Sequence, residues 1–252
     1  MAYRLINYLK NNGQINLQQH GFRHGKSTED IILKALFYIN TFSTLNKKLA
    51  SASLDVEKAF DTVWHEGLAY KIFNYYNLPL ITKNSFFIMS QKLHSKTQDH
   101  KSHAFKSHAG VPQGSALSPI LFNLYTNDTP TPINDKTITM MYADDITILT
   151  YHKDRWTLWR DITDELNNID NFHSNWLIKT NKNKYNVVLY NQTIRQAADQ
   201  PAIRVSGEMI PYQDNTKILG TIFDYKLKFN RHLENRIKIA NTQRLSSSDL
   251  EL

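Results

Sequence analysis

Two runs rich in β-branched and apolar residues, Thr137–Tyr142 and Ile146–Thr150, are separated only by Ala143-Asp144-Asp145. Such a pair of runs around a turn-length break predicts a β-hairpin, here with two carboxylates at its tip. A third carboxylate, Asp55, ends a further short predicted strand at 51–55. If these strands pair, three negative charges converge on one end of a sheet. Left uncompensated, they repel and raise one another's pKa. Two divalent cations about 4 Å apart relieve that repulsion and can clamp the attacking and leaving oxygens of a phosphoryl transfer. Magnesium suits such a set, because it takes oxygen ligands and keeps several waters or phosphates. The bland alternative is that Asp-Asp is turn chemistry alone, since Asp favours turns.

The segments around these carboxylates interleave helices and strands. Ser27 and Thr28 can cap a helix whose apolar face is Ile31, Ile32, Ala35, Leu36 and Ile39. A second helix is predicted over 66–77, stopped by Pro79, and a third opens at Ser118-Pro119 and runs to Tyr125. The clearest helix spans 155–176, where Trp159, Ile162, Leu166, Ile169, Phe172 and Trp176 recur at spacings of three and four. Strands follow at 185–190, 202–205 and 218–223, with Ser206-Gly207 as a turn, and a basic helix begins near Asn230. The order lacks a strict β-α-β rhythm and predicts an α+β fold with an antiparallel sheet. The Lys- and His-rich stretch 91–108 reads as an exposed loop or weak ribbon.

At 252 residues the chain is long enough for a substantial core. It has no cysteine, which excludes a disulfide scaffold, a thiolate zinc site and a cysteine nucleophile. The longest uncharged stretch, 109–127, contains Pro, Gly, Gln, Asn and Ser and does not read as a membrane span. With 30 Lys+Arg against 23 Asp+Glu, the net charge of +7 favours a polyanionic partner.

Four words give the carboxylates a context: QHGFRHGKST at 19–28, LDVEKAFDTVWH at 54–65, AGVPQGSALSPILFNLYTND at 109–128 and YADD at 142–145. In this order they closely resemble a reverse transcriptase of the non-LTR (LINE-type) retrotransposons, most like the jockey-like mobile elements of insects. The likeness continues through WLIKTNKNKYNVVLY at 176–190 and KILGTIFDYKLKFNRHL at 217–233. It implies a polymerase palm, an antiparallel sheet with packed helices, together with partial fingers and a truncated thumb. Residues 1–235 would form the reverse transcriptase domain, and 236–252 a truncated thumb or unrelated tail.

The same resemblance assigns roles. Asp55, Asp144 and Asp145 would be catalytic and would bind two Mg²⁺ ions, with the Val56 carbonyl as an extra ligand and Mn²⁺ as an alternative metal. Phe60 would crowd the sugar 2′ position and so select deoxynucleotides. Arg23 would grip the triphosphate, where a guanidinium suits phosphate. Gln113 and Gly114 would approach the template or incoming nucleotide, and Lys184 the pyrophosphate. Tyr142 would lie near the primer end. Leu219 and Gly220 would form a primer-contacting hairpin, with Lys217, Lys226, Lys228 and Arg231 nearby for phosphates. The implied partners are an RNA template, a DNA primer and dNTPs, with no membrane; the oligomeric state and the choice between nucleus and cytoplasm stay open.

An upstream fingers segment with an Arg-Pro-Ile-Ser word is expected before Gln19, and its absence leads us to expect impaired synthesis. The alternative is a catalytically inactive fragment that serves only as a basic nucleic-acid-binding module. A metal-dependent nuclease is disfavoured by Phe60 and by the 113–114 segment, because a nuclease needs no nucleotide selector.

Overall fold

The strand β1 (Lys48–Leu54) reads Lys-Leu-Ala-Ser-Ala-Ser-Leu, small residues with little β propensity of their own. It is nevertheless a central strand of the computed structural model, which describes residues 2–76, 78, 109–112, 114–191 and 201–248. Its neighbours are β2 (Thr137–Tyr142), β3 (Asp145–His152) and β4 (Asn186–Leu189), in the antiparallel order β2-β3-β1-β4. Leu54 pairs with Ile146 across β1 and β3, so the next residues along, Asp55 and Asp145, stand opposite each other. Tyr142 pairs with Asp145 across the β2–β3 hairpin, which leaves Ala143-Asp144 as its two-residue tip.

Alternation along β1 sets the layers. Ala50, Ala52 and Leu54 join Ile146, Ile148, Val187 and Leu189 in a core closed by Leu158, Ile162, Leu166 and Ile169 of α5 (Arg155–Asn175). That helix is capped by Asp154, which accepts from the Thr157 N–H at 2.8 Å. Its buried acids are paired: Asp161 with His152 at 2.8 Å, Glu165 with the Thr139 hydroxyl at 3.0 Å, and Asp170 with the Ser206 hydroxyl at 2.5 Å.

The opposite face of the sheet carries Leu49, Leu149 and Val188 and is covered by α2 (Thr28–Thr44) through Ile31, Ala35 and Ile39. Ser27 caps α2 in a reciprocal box with Asp30, as its sequence predicts. On the same face lies a hairpin of β7 (Asn215–Ile218) and β8 (Thr221–Asp224), held by Ile218 and Phe223. A third core joins α1 (Ala2–Asn11), α3 (His65–Asn74) and α4 (Ser118–Tyr125).

Several expectations need correcting. The predicted strand at 218–223 is broken by Leu219 and Gly220, whose φ values of +46° and +87° make a two-residue turn. Both central residues are left-handed, the pattern of a type I′ hairpin. Ser206-Gly207 is a turn, but it leads into a short strand the sequence reading lacked, β6 (Glu208–Ile210), paired with β5 (Ile203–Val205). The N-terminal helix α1 is also an addition, anchored by Leu5 and Leu9. The final helix α6 (Asn230–Ser248) runs across the expected 235/236 division without a break. The stretch 91–108 lies outside the described residues. Among the described residues no helix is long and apolar enough to cross a membrane.

Candidate active site

The three aspartates meet at the end of the sheet, and their electrostatics record the meeting. The carboxyl of Asp144 is raised above the ordinary carboxylate value, first by burial and then by the charge of Asp55. That of Asp145 is raised by partial desolvation and by both Asp144 and Asp55. Lys184 and Lys217 work in the opposite direction on Asp145. Lys184 extends from a single 3₁₀ turn (Lys182–Lys184) and places Nζ 3.0 Å from Asp55 Oδ2. Its own pKa is raised by that bond and charge.

The backbone after Asp55 is tied down on its other side. The Asp55 carbonyl accepts from the Asn181 N–H at 3.1 Å, and the Glu57 N–H donates to the Lys179 carbonyl at 2.8 Å. Val56 forms an isolated bridge with Thr180, while its side chain is buried in the core of α1, α3 and α4. The hairpin of Leu219 and Gly220 is fixed to β1 by a 2.7 Å bond between the hydroxyls of Ser53 and Thr216. Ser53 is two residues before Asp55, so by alternation the carboxylate and the hairpin share a face. Tyr142 packs on that face as well.

Other predicted residues make separate contacts. Phe60 lies in an aromatic cluster, 6.1 Å from the Phe22 ring and 5.3 Å from that of Phe122. The Arg23 guanidinium bonds the carbonyls of Gln19 at 2.8 Å and Asn16 at 3.0 Å. Gly114 is exposed in a turn at φ +83°, with open space where a side chain would stand. Gln113 lies outside the described residues. His65 bonds the Gly110 carbonyl at 2.6 Å.

Whether this set suits a metal can be asked of its donors. They are all carboxylate oxygens, partly desolvated and mutually repelling, which is the chemistry a hard divalent cation relieves. Their geometry is not closed: among the described residues no three His, Asp or Glu side chains are gathered closely enough to hold a metal ion. In place of a cation, the Lys184 ammonium compensates Asp55. The donor chemistry fits, and the shell would have to tighten to take the ion.

The family described as "Reverse transcriptase (RNA-dependent DNA polymerase)" matches residues 1–223. The chain belongs to this family. It is 30% identical over 224 residues to the RNA-directed DNA polymerase from mobile element jockey of Drosophila melanogaster, covering 86% of this chain and 24% of that one. The jockey polymerase of Drosophila funebris is 31% identical, with 85% and 24% covered. The probable RNA-directed DNA polymerase from transposon X-element of Drosophila melanogaster is 27% identical, with 100% and 28% covered. The chain thus spans about a quarter of the length of these relatives. Among solved structures it resembles telomerase from Candida tropicalis in complex with a TWJ fragment of telomeric RNA. There the TM-score is 0.61 at 13% identity, over 91% of this chain and 36% of that one. Apo telomerase from the same organism, truncated from its C-terminal domain, gives 0.58 at 13%, over 91% and 43%. At this identity the likeness is one of fold, and it marks the sheet and its helices as a polymerase palm.

In this reverse transcriptase domain one residue at the β2–β3 turn escaped sequence reasoning. Gln19 is buried and bonds to Ala143, immediately before Asp144. Nothing in a lone glutamine amid polar neighbours announces such a contact, because its partner is 124 positions away.

Proposed function

We propose that this domain is the RNA-directed DNA polymerase of a non-LTR retrotransposon, adding dNTPs to a primer 3′-hydroxyl under the direction of an RNA template. The convergence of Asp55 with Asp144 and Asp145 at one sheet end, where the charge of Asp55 raises the pKa of both neighbours, carries the reading. Those three carboxylates, with the Val56 carbonyl, would hold two Mg²⁺ ions, and Mn²⁺ could replace them. When bound, such ions neutralise the phosphate charge and stabilise the attacking and leaving oxygens.

The chain's own groups do the rest. Lys184 gives up Asp55 and turns its ammonium to the departing pyrophosphate. Tyr142 and the Leu219-Gly220 hairpin, tied to β1 through Thr216, line the primer side, with Lys217 close enough to Asp145 to influence its charge. Phe60 excludes a ribose 2′-hydroxyl by its bulk, and Gly114 leaves backbone free to approach the nucleotide. Arg23, oriented by two carbonyls, meets the triphosphate.

A template-primer extension assay with dNTPs and Mg²⁺ tests this, with Asp144→Asn as control. Extension that is lost in the variant supports it; no extension by the wild type, or extension indifferent to Asp144, overturns it. The net charge of +7 favours, as a second reading, a basic nucleic-acid-binding module without catalysis. Salt-dependent binding with no nucleotide incorporation is its signature.

A further inference from the structure

Gln19 is only 2% exposed, and its amide meets three backbone groups. Oε1 accepts from the Ala143 N–H at 2.9 Å and from the Gly21 N–H at 2.7 Å. Nε2 donates to the Ala143 carbonyl at 3.1 Å. One side chain therefore satisfies both polar backbone groups of the residue before Asp144. The pattern also fixes the orientation of the amide, since a flipped NH₂ would face two N–H donors.

Ala143 is a residue that needs holding. Its φ is +55°, whereas Asp144 is not among the positive-φ residues. With Tyr142 and Asp145 paired on either side, this is the type II′ pattern, whose first central position ordinarily takes glycine. An alanine there carries a Cβ penalty that glycine avoids. The surrounding backbone is built for close approach. Gln19 bridges Met141 in parallel, the His20 N–H donates to the Met141 carbonyl at 2.7 Å, and the Met141 N–H to the Gln18 carbonyl at 2.9 Å. A side chain at Gly21 would put its Cβ 2.3 Å from the Ala143 nitrogen. Asn123 secures this segment by donating to the Gly21 carbonyl at 2.9 Å.

We infer that Gln19 is a positioning residue: it clamps Ala143 in the left-handed conformation and thereby aims the Asp144 carboxylate at the metal site. Resting on the polymerase activity proposed above, this separates two functions of one residue. The side chain holds the catalytic turn, while the main-chain carbonyl holds Arg23 at 2.8 Å. A substitution at position 19 removes the first and spares the second. Glycine at position 143 would make the clamp unnecessary, because glycine reaches positive φ without cost.

The test uses the full chain with Gln19→Met, Ala143→Gly and the double variant, read by primer extension and by hydrogen exchange at the Ala143 amide. A displacement on the order of 1 Å at a reacting group costs about 100-fold, so Gln19→Met lowers kcat by about that factor. The dNTP KM stays within about twofold, as expected when ground-state binding is intact. Adding Ala143→Gly recovers about tenfold of the lost rate, and exchange at Ala143 quickens in Gln19→Met by about tenfold or more. A folded Gln19→Met protein with unchanged kcat, or a loss that glycine does not rescue, overturns the inference. If the wild type extends no primer, the polymerase reading fails separately, and unchanged Ala143 protection in Gln19→Met then overturns the clamp. Should Gln19→Met not fold, Gln19→Glu supplies the same readouts, since it keeps the acceptor and sets an oxygen against the Ala143 carbonyl.

Discussion

Lys71 puts a formal charge where the helical core has least room for one. Its side chain is 1% exposed, its ammonium bonds the Asp128 carboxylate and the Tyr125 carbonyl, and it lies 3.7 Å from the centre of the Trp176 ring. The rings of Phe172 and Tyr125 stand at 4.9 Å and 5.0 Å. Burial outweighs the pairing with Asp128 and pulls the pKa down to about 8. Below pH 8 the lysine is charged in both folded and unfolded chains. Above it the folded chain sheds a proton that the unfolded chain keeps until its ordinary value. The unfolded state then binds more protons, so stability rises with pH through this window. At about 1.4 kcal/mol per pH unit, the gain approaches roughly 3 kcal/mol as an upper bound. Lys71→Met abolishes that rise while keeping the ring contacts. Because Asp128 is 33% exposed and can be hydrated, the variant should be about 1 kcal/mol more stable at pH 7. Its advantage should vanish or reverse by pH 10. Urea unfolding followed by circular dichroism across pH 7–10 measures both quantities. Parallel stability profiles for the two proteins, or a variant weaker by roughly 2 kcal/mol or more at pH 7, refute the claim that burial dominates over pairing.

Asp144 and Asp145 titrate in the opposite sense. Their folded pKa values are raised, so their contribution to stability is present at low pH and is lost as pH rises through the carboxylate range. Asp144→Asn should therefore raise the metal-free Tm near neutrality by about 2 °C while abolishing extension, as differential scanning calorimetry and the primer assay will show. Lys184→Met frees Asp55 from an exposed ion pair worth at most about 1 kcal/mol, so Mn²⁺ affinity by calorimetric titration should rise up to about fivefold while extension slows. Unchanged affinity would mean that the ammonium does not compete with the cation. Gly21→Ala forces a methyl to 2.3 Å from the Ala143 nitrogen, and should cost about 1–3 kcal/mol in urea unfolding.

The elements legible in the sequence were those whose signal is local. The Ser27 cap, the stripe on α5 and the break at Ala143-Asp144 each announce themselves within a few residues. What escaped depends on distant partners. The strand expected at 51–55 begins three residues earlier, at Lys48, and is held by distant partners: Ser51 meets the Tyr190 hydroxyl at 3.1 Å and Ser53 meets Thr216. The run 218–223 reads as one strand because Ile, Thr, Ile and Phe favour sheets, and only the left-handed Leu219 and Gly220 reveal the reversal. Helix α6 begins at Asn230 as its sequence suggests, but its residues show no apolar face that would mark where it ends. At the site, the carboxylates came from motif words, whereas the Gln19 clamp joins two loops more than a hundred residues apart.

The two faces of β1 explain why the three aspartates stand where they do. Large apolar groups on the α5 side make that face a core and close it to any ligand. On the other side the same alternation sets Ser51, Ser53 and Asp55 in a row, and α2 and the β7–β8 hairpin flank the row. Short hydroxyls bonded to neighbouring hydroxyls leave no dangling polar group and add little bulk, so this end of the sheet stays open beside the carboxylates. The Ser53–Thr216 bond also links the hairpin to β1. Asp55 lies two positions after Ser53, and Leu219 three positions after Thr216. A shift of the hairpin is therefore passed to Asp55 through the backbone of β1, whereas Asp144 is steadied independently through Gln19. The halves of the carboxylate set are braced by different parts of the chain, and the cation binding proposed above would require both braces to hold.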